Sequence, residues 1–219
     1  MKTQPIYRFA CTIALAAALA ALAGCASNGH QKSEATAEGL QNSADRIAKA
    51  QTTREATLAA LNDLVENPQP DLRPQFKKFV SSLNTWQSQV RDVESKSASM
   101  QAKGAAYFEK WDLELAKIQN EDIRKRSVAR KEVVAKQFDK IRMAYAEVDK
   151  TRRPLMADLI DIQTALNADL TRAGLDAVKP VVKKANKDAE PLGLAAAKLV
   201  EEFKILGLAM SAVAPQPQK

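Results

Sequence analysis

A chain of 219 residues suffices for one ordinary domain or one elongated helical one, and it carries a formal net charge of +7. Hydrophobic residues make up 46% but aromatics only 5%, with 7 glycines; this composition suits long helices packed through narrow seams and argues against a sheet or a compact core of large side chains. Two cysteines, Cys11 and Cys25, and one histidine, His30, exclude a zinc-type ligand cluster and leave Ser43 and Ser127 without a base to activate them.

The N-terminal segment reads as an export signal. Lys2 and Arg8 give a short positive region, and Phe9 to Leu22 is apolar apart from Thr12. That run is shorter than the roughly 20 residues a membrane span needs, and it fits the apolar core of a secretory signal. Leu22-Ala23-Gly24-Cys25 follows, and then the polar Ala26-Ser27-Asn28. The tetrapeptide resembles the bacterial lipobox. The resemblance implies cleavage between Gly24 and Cys25 and lipid on the Cys25 sulfur. Three acyl chains at ~0.8 kcal/mol per buried methylene hold a protein firmly, where a single chain does not. Ala26, in place of the aspartate that marks inner-membrane retention in similar lipoproteins, implies an outer-membrane, periplasm-facing address. Without Lys2 and Arg8 the balance is 31 basic to 26 acidic residues, or +5.

Residues 25–34 read as a lipidated flexible tether containing His30, which is expected to be solvated. A heptad seam then runs through Leu40, Ala44, Ile47, Gln51, Arg54, Leu58, Leu61 and Val65, with two polar positions in its middle. Asn67-Pro68-Gln69-Pro70 ends this first helix, and Asp71 is the expected N-cap of the next, with Pro74 in its first turn.

The second helix keeps the three-four alternation from Phe76 to Trp111, after which Leu115 and Ile118 slip it by one residue. The run Ser95 to Ser99 is weakly apolar, and Gly104 is a candidate kink. The seam resumes from Val134 to Val148. No proline falls between Pro74 and Pro154, and as one rod this stretch would reach on the order of 100 Å at 1.5 Å per residue. A break or kink is expected at Pro154. Leu155, Leu159, Ile162, Leu166 and Leu170 form an apolar stripe that Gly174 would cap. Two further segments, 175–188 and 191–213, are expected with bends at Pro180 and Pro191, and residues 214–219 form a disordered tail. Leu194, Leu199, Phe203, Leu206 and Met210 are expected on one packed face, extended by Leu208 and Val213. Residues 35–213 thus read as a single elongated all-α domain, an antiparallel helical bundle or coiled coil.

Candidate binding residues are few. Tyr107 and Trp111 lie on one helix face at i, i+4 with Phe108 beside them, either as a core anchor or as a stacking platform for sugar or peptide. Arg124, Lys125, Arg126 and Arg130 make a basic run, diluted by Glu121, Asp122 and Glu132. Lys179, Lys183, Lys184 and Lys187 make a second. Asp158 and Asp161 at i, i+3 read as the wet face of an amphipathic helix. Neither a cofactor nor catalysis is expected.

Tyr107-Phe108-Glu109-Lys110-Trp111 with Ile118-Gln119-Asn120, Ser127-Val128-Ala129-Arg130, Leu159-Ile160-Asp161 and Ala168-Asp169-Leu170 resemble an uncharacterised family of proteobacterial coiled-coil lipoproteins with a domain of unknown function. The resemblance implies an all-helical envelope protein and brings no active-site residues with it. The expected role is a structural or adaptor lipoprotein, with an envelope protein or peptidoglycan as partner, no nucleic acid, and self-association left open. The alternatives are a ligand-binding or inhibitor module built on the Tyr107–Trp111 groove, and a membrane-remodelling protein using its apolar C-terminal helix.

Overall fold

The computed structural model describes residues 29–210. They form four helices: α1 (Gly29–Glu66), α2 (Arg73–Ala116), α3 (Glu121–Ala168) and α4 (Arg172–Met210). Each helix runs antiparallel to the one before it, in an all-α bundle. The α3–α4 seam is the most extensive and the α2–α3 seam by far the thinnest.

Both heptad stripes read from the sequence face inward. Leu40, Ala44, Ile47, Leu58, Leu61 and Val65 are buried along α1, as are Phe79, Leu83, Trp86 and Val90 along α2. The polar positions of the α1 seam are inside as well: Arg54 is only 6% exposed. The apolar interior divides in two. One core joins the C-terminal half of α1 and the N-terminal half of α2 to the stripe Leu155, Leu159, Ile162 and Leu166 and the start of α4. The other joins Leu40 to Ile47, Val134 to Ala144 and the end of α4, with the C-terminal half of α2 only partly buried against it.

The turns explain the path. Between α1 and α2 the buried Gln75 amide donates to the Asp63 and Asn67 carbonyls (3.2 and 3.1 Å), tying the end of α1 to the first turn of α2. The N-cap of α2 is Leu72 rather than the expected Asp71, and no side chain caps it; Asp71, one residue earlier, closes a local turn in which its Oδ1 accepts from the Arg73 N–H at 3.1 Å. The chain from Pro74 to Pro154 is not one rod, nor does it fold back at Gly104. It reverses at residues 117–120, where Asn120 Oδ1 accepts from the Ile123 N–H at 3.0 Å and Glu121 and Asp122 place negative charge in the first turn of α3. Gly104 has a packing role instead: a Cβ there would lie 2.3 Å from the Phe138 ring, so the glycine lets α3 press against α2.

Other expectations are corrected. α1 is already helical at Gly29, six residues before the expected start and inside the expected tether. Pro154 is carried within α3, and Pro180 and Pro191 within α4, so that neither helix breaks there. The prolines are tolerated because the flanking apolar residues on both sides are buried, and this packing offsets the missing N–H groups. Gly174 is no C-cap. It lies in the first turn of α4, where a Cβ would stand 2.0 Å from the Asp169 carbonyl oxygen. Of the expected packed face of α4, Leu199, Phe203, Leu206 and Met210 are buried but Leu194 is 69% exposed, because Leu192, Ala195 and Ala196 occupy the inner positions of its turn. Val213 lies outside the described residues.

Candidate functional site

Gly24 and Cys25 lie outside the described residues. Tyr107 and Trp111 are half-buried, turned onto the second core and stacked edge to face with ring centroids 5.5 Å apart. Phe108 bridges this pair to Phe138, with centroids 5.7 and 5.8 Å from Tyr107 and Phe138. The rings therefore fasten α2 to α3, as the core-anchor alternative requires. Burial raises the Tyr107 phenol, against the pull of the Arg130 charge. Arg124, Lys125 and Arg126 are exposed on the first turns of α3. Only Arg130 of that run is brought near the aromatic cluster, and its guanidinium donates to the Ala209 carbonyl at the end of α4. In the second basic run Lys179 pairs with Asp176, and Lys184 with Asp158 and Asp188. These pairs offset part of its field.

An open cavity lies at the waist, where the two cores meet. α2 and α3 part there and leave a cavity of about 480 Å³, floored by α1 and α4. Small side chains leave it open: Ser97 and Ala98 on α2 and Ala146 on α3 line it, while the larger Tyr145 turns its ring onto Phe203. Two contacts frame the opening. Toward the α2–α3 turn, Phe138 is pressed against Gly104. Toward the other end, Arg152 reaches across from α3 and donates to Glu94 on α2 at 2.6 Å. The apolar part of its lining is Ile47 on α1, Trp86 and Val90 on α2, and Leu192, Ala196 and Leu199 on α4.

The mouth is polar and rich in donors. Arg142, Arg152 and Arg153 line it, against Glu94 and Asp149. Asp149 binds both Arg152 and Arg153, and these guanidinium hydrogen bonds hold its carboxyl below the usual carboxylate range, with burial opposing them. Deeper in, burial pushes the Tyr145 phenol up to about 12, with a hydrogen bond to the Ser97 side chain offsetting part of the rise.

Beside the cavity is a polar relay between α1 and α4. Arg54 donates to Gln51 Oε1 and, at 3.1 Å, to Glu55. Gln51 Nε2 donates to the Gly193 carbonyl at 3.1 Å. Gly193 makes room, since a Cβ there would be 3.4 Å from both terminal nitrogens of Arg54. The Arg54 Nε finds no partner among the described residues, and burial lowers the pKa of the guanidinium against the pull of Glu55.

Sequence reasoning missed this waist. Its signals were present: polar Gln51 and Arg54 inside an apolar seam, the weak run Ser95 to Ser99, and Arg152-Arg153 beside a proline. Each was read alone, and only the fold puts them at one level of the bundle.

Among the described residues there is no group of three or more histidine, cysteine or acidic side chains placed to hold a metal ion. No helix among them is long and apolar enough to cross a membrane. A family model described as "Protein of unknown function (DUF2959)" matches residues 23–203. No curated protein and no solved structure matches the chain significantly.

Proposed function

The chain belongs to that family of proteins of unknown function, and on this premise we propose that it is a non-catalytic lipoprotein of the cell envelope, held at the outer membrane by lipid on Cys25 and facing the periplasm. The observation that carries the reading is the Leu22-Ala23-Gly24-Cys25 motif, with only residues 26–28 between Cys25 and the start of α1. A bundle joined so closely to its anchor stands on the bilayer as a spacer or adaptor. An envelope protein or peptidoglycan is then its partner. Support also comes from the family match, which begins at residue 23, at the edge of the cleavage motif.

Mass spectrometry of the native protein tests the anchor. The N-terminal peptide is expected to begin at residue 25 with the added mass of three acyl chains, and Cys25→Ser is expected to release the protein from the membrane fraction. An intact Met1, or an unmodified thiol at residue 25, would overturn the proposal. For the partner, cross-linking in cells followed by capture of the protein is expected to recover one envelope protein or peptidoglycan fragments in stoichiometric amounts; recovery of neither rejects the adaptor role.

A further inference from the structure

We propose that the waist cavity is a binding site for a single long-chain fatty acid, its alkyl chain lying between α2 and α3 and its carboxylate held by the arginines of the mouth. The cavity measures about 480 Å³, within the ~300–1,000 Å³ range of small-molecule sites. At roughly 30 Å³ for a water-sized group, it holds on the order of 16 heavy atoms. That is one alkyl chain, and too little for a two-chain phospholipid.

Chemistry narrows the choice further. Ile47, Val90, Leu192 and Leu199, with the Trp86 ring, give a ligand an apolar bed, with Gln51, Ser97, Gln101 and Tyr145 as the polar side chains beside it. A sugar or peptide laid on that bed would leave the polar groups facing it unpaired. At the mouth the balance reverses. Three guanidinium groups, each with five N–H donors, stand beside Glu94 and Asp149, and Arg142 also pairs with Asp139 at 3.0 Å, so the donors outnumber the bonds these carboxylates take. Arg153 spends one terminal nitrogen on Asp149 and its side chain is 73% exposed, which leaves donors free toward the opening. Planar guanidinium groups match a carboxylate through paired hydrogen bonds. An apolar chain ending in an anion is therefore the ligand that satisfies both ends of the cavity.

The opening has a built frame as well. The Gly104–Phe138 contact closes one end, and the Arg152–Glu94 bridge spans the other. The α2–α3 seam is the thinnest in the bundle, so a chain enters between the two helices that hold each other least. All of these residues belong to the bundle, so the site does not depend on lipid at Cys25.

Dodecanoate, below its micelle concentration, tests it. The full chain with Cys25→Ser is titrated by calorimetry, and Trp86 emission is followed in the same chain with Trp111→Phe. One equivalent is expected to bind and to change the emission, because Trp86 lines the cavity. Ala98→Trp, which puts a ring in the opening at an exposed position, is expected to abolish binding while leaving the circular-dichroism melt within a few degrees. Arg153→Gln, also at an exposed side chain, is expected to weaken dodecanoate at least tenfold, and dodecanol is expected to bind at least tenfold more weakly than dodecanoate. No binding, or equal binding by a folded Ala98→Trp chain, overturns the site. Equal affinity for dodecanoate and dodecanol, or no effect of Arg153→Gln, overturns the anionic head group. Tighter binding of dodecyl phosphate than of dodecanoate overturns the carboxylate.

Discussion

Tyr145 shows how one side chain reports on the waist. Its ring meets Phe203 edge to face at 5.7 Å on one side and lines the cavity on the other. Its phenol ionises near 12 in the fold, against 10 for an exposed tyrosine. The folded state thus holds this proton more tightly than the unfolded chain does. The stabilisation is fully present below pH 10 and is lost as pH rises toward 12. Between about pH 9 and 11.5 Tyr145 is expected to cost the fold about 2 kcal/mol. Urea melts of the wild type and Tyr145→Phe at both pH values measure this as the difference between the two losses, and equal losses would refute it. Arg54 teaches a related lesson. It was legible in the sequence as a polar interruption of the α1 seam, but a heptad position says only that a side chain faces inward. Its surroundings, Gln51 at i−3 and the open space beside Gly193 on another helix, were not legible together, because Gly193, which accepts from Gln51, lies 142 residues from it in the chain.

At the scale of elements, α2 is two different helices in one. From Phe79 to Val90 it buries four large side chains, whereas beyond Val90 only Ser97 and Leu115 are buried. Local opening follows buried contact. Hydrogen exchange is expected to be faster at residues 93–116 than at residues 76–90, and peptide-resolved mass spectrometry reads the two directly; uniform protection along α2 would refute the division. The inward stripes of all four helices were legible from periodicity, since burying an apolar face is what holds helices of this length in place. The turn at 117–120 was harder. It contains neither proline nor glycine, and the slip at Leu115 and Ile118 reads equally well as a stutter in a continuous coil. The deciding feature is a capping one, Asn120 followed by Glu121 and Asp122, and its weight depends on the chain having a surface to fold back onto. In the opposite sense Pro154, Pro180, Pro191 and Gly174 looked like punctuation. Tertiary packing overrode all four.

Taken as a whole, the molecule is shorter than its longest proline-free stretch suggested. α2, with 44 residues, spans about 66 Å, and the hairpin replaces the rod. Leu40 near the start of α1 shares a core with Leu206 and Met210 at the end of α4, and Arg130 reaches Ala209. The beginning of α1, the end of α4 and the α2–α3 turn therefore lie at one end. The turns at 67–72 and 169–171 lie at the other, fastened together by Arg172, which donates to the Pro68 carbonyl at 2.9 Å. The chain crosses the bundle an even number of times, and this has a mechanical consequence. A pull between residues 29 and 70 loads α1 lengthwise, so all its contacts with α2 and α4 resist together. A pull between residues 29 and 210 peels α1 from α4 one turn at a time. In a single-molecule stretching experiment the first geometry is expected to rupture at the higher force, and equal forces would contradict the arrangement. A tether at the first helix and a grip on the far turns would thus set the protein in its strong direction, like a splice loaded along the rope.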